Sequence, residues 1–311
     1  MTKQLLGTAL TCIAVVAGTA LWQEAPVRAF TTTTCPATDP YDTDSDTVPL
    51  QECLDEYDVV MLEPSGGSGY EGYYIGENDN KGLRIRAYDG KILMTNREGK
   101  AHLVAAPDLE WQVIDVDEGA TNWELHQLVI DGNRYNRDPD VCGQSNYNFR
   151  GSNVLAKGSG FYVVGVESVR ALCGSAFEIW ANGGEVQDSL FYDNGTDANA
   201  MANHWSDGIT VLYCDSCYIH DNSFVDNSDV DLVVGSGSNL YVAHNDFEHY
   251  SNMAFAGLTS SRLNPAAARH GPASMPRASR SMTSARAAPD ITVTPMCVAP
   301  LCGMPAPRRS L

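Results

Sequence analysis

Three consecutive stretches, SAFEIWANGGEVQDSLFYDNG (175–195), DGITVLYCDSCYIHDNSFVDN (207–227) and DVDLVVGSGSNLYVAHNDFEHY (229–250), can be written one above the other. Each opens with a short alternating run, passes through a Gly/Ser/Asp/Asn turn and gives a second short strand. Each closes on a polar-polar-aromatic signature: Asp188-Ser189-Leu190-Phe191, Asp221-Asn222-Ser223-Phe224 and His244-Asn245-Asp246-Phe247. The phenylalanines lie 33 and 23 residues apart, and the longer spacing holds a polar insert, TDANAMANHW (196–205). A period of about 22 residues is too short for two helices and suits one coil of a solenoid.

Upstream, from Tyr57, runs such as DVVMLEP, GLRIRAY and WQVIDV alternate with Gly, Pro, Asn and Asp and show no helical period. Residues 57–258 therefore read as one β domain, irregular first and regular later. Residues 30–56 form an acidic, cysteine-bearing entry. There, Asp42-Thr-Asp44-Ser-Asp46 starts like a calcium loop but lacks the glycine and the glutamate that complete one, so a solvated acidic loop is expected. Near Thr259 the texture changes to Ala, Pro, Ser, Arg and Met. The tail 259–311 reads as a disordered linker or as out-of-frame translation of a GC-rich gene, and is excluded from the fold.

The formal net charge of −19 is unevenly spread. Residues 262–311 carry seven arginines and one acid, Asp290, which leaves 13 basic and 38 acidic residues in 1–261, a net of −25. Such a body repels nucleic acid and anionic lipid, so neither is an expected partner. Lys3, the apolar stretch 5–21 and the small-x-small site Val27-Arg28-Ala29 make 1–29 a secretory signal peptide, cleaved rather than kept as a membrane span. A secreted or cell-surface location follows. Outside the signal and the tail lie six cysteines, an even number that favours disulfides. Local pairing suggests Cys35–Cys53 and Cys142–Cys173. Cys214 and Cys217, read as lying in a turn, form a disulfide there or remain two thiols.

The segments LVIDGNRYNRD, SDGITVLYCDSCYIHDNSFVDNSDVDLVV and LYVAHNDFEHYSN resemble right-handed parallel β-helix repeats of the pectin-lyase-like superfamily, in which turn asparagines stack from coil to coil. Asn222 and Asn245 would be that ladder. The resemblance implies an all-β fold, a single-stranded right-handed parallel β-helix. It leaves the activity open, because the fold hosts lyases, hydrolases, epimerases, adhesins and tailspikes. Trp205-Ser206-Asp207-Gly208-Ile209 and Asp229-Val230-Asp231 are similar to polygalacturonase segments. The second aspartate of that family's pair is missing at Val230, and neither Gly-His-Gly nor Arg-Ile-Lys follows.

Alternation turns Phe177, Ile179, Ile209, Val211, Val230 and Leu232 to the core, which places Glu178, Thr210 and Asp231 outward in matching positions. Glu178, Asp207 and Asp231 are thus the candidate catalytic carboxylates. Asp207 is read as general acid or cation ligand at the foot of the insert. His204 and Trp205, within the insert, are candidate sugar contacts. Asp207 and Asp229 start successive strands and could share a calcium ion. Asn194-Gly-Thr196 is a glycosylation sequon. The expected function is engagement of an extracellular polysaccharide as a lyase or hydrolase; the alternative is a non-catalytic surface, adhesion or structural module.

Overall fold

The computed structural model describes residues 30–35, 38–40, 44–65, 72–76, 82–86, 88–96, 98–143, 150–196, 204–251, 254–260 and 292–293. The chain separates into two compact units, Met1–Phe30 and Thr31–Leu311, and the second carries the β-structure. The signal segment, residues 197–203 of the insert and nearly all of the tail lie outside the described residues.

The unit is all-β with a little helix. Among the described residues its strands form a thirteen-stranded and a seven-stranded sheet, and every pairing between these strands is parallel. The chain returns to the same column at each pass. One inward column runs Val60, Leu93, Leu125, Val163, Val186, Ile219 and Val242, all buried. A column of the seven-stranded sheet runs Ile130, Ser168, Phe191, Phe224 and Phe247. Pairing of this kind is compatible with a β-solenoid. The regular step is 23 residues, as from Val163 to Val186 or Ile209 to Leu232, one more than the sequence period suggests.

Packing explains the period. Phe224 stacks between Phe191 and Phe247, with ring centroids 5.3 and 5.1 Å away. Trp123 stacks on Phe161 at 5.3 Å in the earlier, less regular part. The corners are set by chemistry of the turn residues. Asp188, Asp221 and His244 all hold φ near +50°, as do Asp193 and Asp226 at the next corner. Asp and Asn enter this left-handed region at the lowest cost after glycine, which is why the turns read as polar.

Buried asparagines tie the corners together. Asn222 donates its side-chain amide to Asn245 Oδ1 at 3.0 Å and accepts from the Ser189 backbone amide at 3.1 Å, as the sequence ladder implies. A second ladder was not legible beforehand: Asn194 donates to Asn227 Oδ1 at 2.8 Å and accepts from the Ala171 backbone amide. Asn194 is fully buried, so the sequon is closed to glycosylation in the folded chain.

Three long strands, Val154–Val164, Gly174–Gln187 and Ser206–His220, each cover two faces by bending part-way. In the last, the bend falls at Ser216, with φ +61°, and the Cys214–Cys217 disulfide spans it. That pair therefore sits inside a continuous strand rather than in a turn between strands. Cys35–Cys53 and Cys142–Cys173 are also bonded. The first anchors a helix, Thr47–Glu56, whose Leu50 and Leu54 pack into the core beside the first strands. The acidic entry is thus partly structural. Asp46, expected in a solvated loop, is 4% exposed and accepts hydrogen bonds from the Tyr74 and Asp39 amides. At the other end, Ala256–Ser260 pairs with Val230–Ser236 and carries the ladder two residues past 258. Among the described residues no helix is long and apolar enough to cross a membrane.

Candidate functional site

Parallel register assembles one column on the outward face of the long strands. Arg84 pairs with Asp115, Asp115 with Leu155, Leu155 with Glu178, Glu178 with Thr210 and Thr210 with Val233. The neighbouring column holds Lys157, Trp180, Tyr213 and Ser236. Inward Phe177 and Ile179 flank Glu178 on its own strand, both fully buried, and fix its carboxyl on the opposite side.

Glu178 is nevertheless only 3% exposed, and its Oε1 meets no hydrogen-bond donor. Burial pushes its carboxyl well above the usual range, the charge of Asp207 adds to the rise, and Lys157 opposes it. Lys157 is itself paired with Asp115 at 3.1 Å.

Asp207 is the second group. Its Oδ2 accepts from the Thr210 hydroxyl at 2.6 Å and its Oδ1 from the Val230 amide at 3.1 Å. Ser175 in turn donates to Thr210 Oγ1 at 2.8 Å, so three side chains form a directed chain ending on the carboxylate. Burial raises the pKa of Asp207 to about 7, with the charges of Asp229 and Asp231 adding, while the two hydrogen bonds pull it down. One carboxyl raised well above the usual range and a second raised to about 7 make a pairing suited to proton transfer.

The remaining expected residues are placed differently. Asp231 is not outward. It is fully buried, flanked by Gly208 and Gly257, and its oxygens accept from Asn227 Nδ2 at 2.9 Å and contact His249 Nε2 at 2.8 Å. Thr210 is in register with Val233, two residues beyond Asp231. A buried carboxylate is tolerated there because it is paired on both oxygens, whereas the outward reading rested on the cost of an unpaired one. Asp231 thus terminates the second asparagine ladder and reaches Asp207 only through its charge.

His204 is 6% exposed and its Nε2 lies 3.1 Å from the Pro139 carbonyl, turned to the protein rather than to a ligand. Trp205 is 39% exposed and bridges antiparallel to Gly195, closing the base of the insert. Asp229 acts on Asp207 through its charge. Among the described residues no group of three or more His, Cys, Asp or Glu is arranged to hold a metal ion.

Trp180 and Lys157 complete the outward face beside Glu178 and were missed. The signal was present: in Phe177-Glu178-Ile179-Trp180 the alternation that turns Glu178 outward turns Trp180 outward too. No family model, no curated protein and no solved structure matches the chain.

Proposed function

We propose that the chain is a right-handed parallel β-helix of the pectin-lyase-like kind that binds an extracellular polysaccharide on its outward parallel face and hydrolyses it. Glu178 is the general acid and Asp207 the general base. The observation that carries this reading is the pair itself: a buried carboxyl whose Oε1 meets no hydrogen-bond partner, coupled by charge to a second carboxyl whose pKa is raised to about 7. Structural surface carboxylates are solvated and ordinary in pKa; these two are neither.

In the reaction, Asp207 takes a proton from the attacking water while Glu178 gives its proton to the departing glycosidic oxygen. One C–O bond breaks, one forms, and water supplies both ends. Trp180 offers a ring against which a pyranose can stack. Hydrolysis fits better than elimination, because elimination needs a uronate and the net charge of −25 over 1–261 repels a polyanion. The right-handed sense rests on the general handedness of parallel crossovers. Three disulfides support an oxidising, extracytoplasmic destination.

The test is release of reducing ends from a panel of neutral glycans, with and without calcium, by the wild type and by Glu178→Gln. Turnover in the wild type and its loss by roughly 100-fold or more in the variant supports the assignment. Retention of a glycan without turnover identifies a non-catalytic surface module instead.

A further inference from the structure

Beyond their bends, the long strands present a second outward face that the carboxyl pair does not use. Register stacks Glu124, Tyr162, Glu185, Tyr218 and Tyr241 in one column. Two residues along each strand, His126, Val164, Gln187, His220 and Ala243 form the next. Tyr218 is 50% and Tyr241 36% exposed, with ring centroids 5.9 Å apart. His126 stands edge-on to Tyr162 at 5.6 Å.

The polar members are held by one another. His220 lies between Glu185 at 2.7 Å and Asp221 at 2.6 Å, His126 contacts Glu124 at 2.6 Å, and Gln187 donates to the Tyr162 hydroxyl. Such mutual contacts fix rotamers before any ligand arrives.

We infer that this stripe is a binding track for a linear neutral glycan, separate from the hydrolytic site; the class of polymer rests on the proposed function. Parallel rungs lie about 4.8 Å apart, so five rungs span roughly 19 Å, the length of a few sugar units. Exposed tyrosine faces accept the apolar face of a pyranose, while the flanking imidazoles, amide and carboxylates meet its hydroxyls. A polyanion is repelled by the charge of the body. An extended peptide would add to a sheet edge, and these side chains stand on a sheet face.

Retention on immobilised cellulose, xylan, mannan and chitin tests the inference. The proteins compared are the wild type, Tyr218→Ala alone, Tyr218→Ala with Tyr241→Ala, the matching phenylalanine double variant, and Glu178→Gln. On the polymer that retains the wild type, the alanine double variant is expected to bind at least ten-fold more weakly. The phenylalanine variant stays within about three-fold, and Glu178→Gln binds normally while losing turnover. Tyr218→Ala alone, at a half-exposed position, keeps the fold and gives a partial loss. Unchanged retention of the alanine variants overturns the inference, as does failure of the wild type to be retained on any of the four. Turnover of soluble oligosaccharides in that last case leaves the hydrolase reading standing. A wild-type dimer that becomes monomeric in the alanine variant also overturns it, by assigning the face to contact between copies.

Discussion

Thr210 donates its hydroxyl hydrogen to Asp207 Oδ2 at 2.6 Å, and the same residue stands opposite Glu178 in the parallel register. It thereby tunes one carboxyl while packing beside the other. This hydrogen bond lowers the pKa of Asp207 against burial, which raises it to about 7. Thr210→Val removes the donor at nearly the same volume. The limb of the pH–rate profile that reports the base should move to higher pH. A merely structural role for Thr210 would lower the rate without moving that limb.

Stability should depend on pH through the same groups. Asp207 and Glu178 both have folded pKa values raised above their unfolded ones, so the native state binds more protons than the unfolded state in between. Their contribution is therefore neutral at low pH and becomes destabilising as pH rises from about 4 towards 7 and beyond. Asp207→Asn should stabilise the protein at pH 8, by up to about 4 kcal/mol, and leave it little changed near pH 4. Denaturant melts at the two pH values decide this; equal effects at both would contradict it.

The corner ladder is the clearest structural test. Asn222 is 1% exposed and bonds to Ser189, Val186 and Asn245. Asn222→Ala strands several of these buried partners at once, and a loss of about 2–4 kcal/mol is expected in urea unfolding. A change below about 0.5 kcal/mol would mean that the ladder carries no load.

Removing the Cys142–Cys173 bond, by Cys142→Ser with Cys173→Ser, frees a loop of sequence separation 31. Loop-closure entropy then favours the unfolded chain by about 3–4 kcal/mol. A melting temperature equal to the wild type under non-reducing conditions would refute that bond as a stabilising element.

The repeat made the parallel architecture legible, because the Phe191, Phe224 and Phe247 column and the Asn222–Asn245 contact are written at fixed spacing. Alternation also placed Glu178 and Thr210 on the same outward column. It failed at Asp231, since matching Asp231 with Thr210 assumed a 21-residue step where Ile209 and Leu232 show 23, so that Thr210 stands opposite Val233 and Asp231 falls two residues earlier, at the start of its strand. The helix at Thr47–Glu56 was hidden for another reason: Asp46 has no side-chain capping bond to it, Pro49 in its first turn reads in sequence as a helix breaker although that position tolerates proline, and only four of its residues are buried. The desolvation of Glu178 and Asp207, on which the proposed chemistry depends, is a property of neighbouring strands that no single stretch of sequence displays.

The most direct test of the central claim is glycan turnover by Asp207→Asn, by Glu178→Gln and by the two combined, measured on the neutral polymer that the wild type degrades fastest. Each single variant should fall by roughly 100-fold or more, with the double variant little worse than either, since the two groups act in one step. Melting temperatures should stay at or above that of the wild type at neutral pH. Full turnover in the double variant would contradict the account.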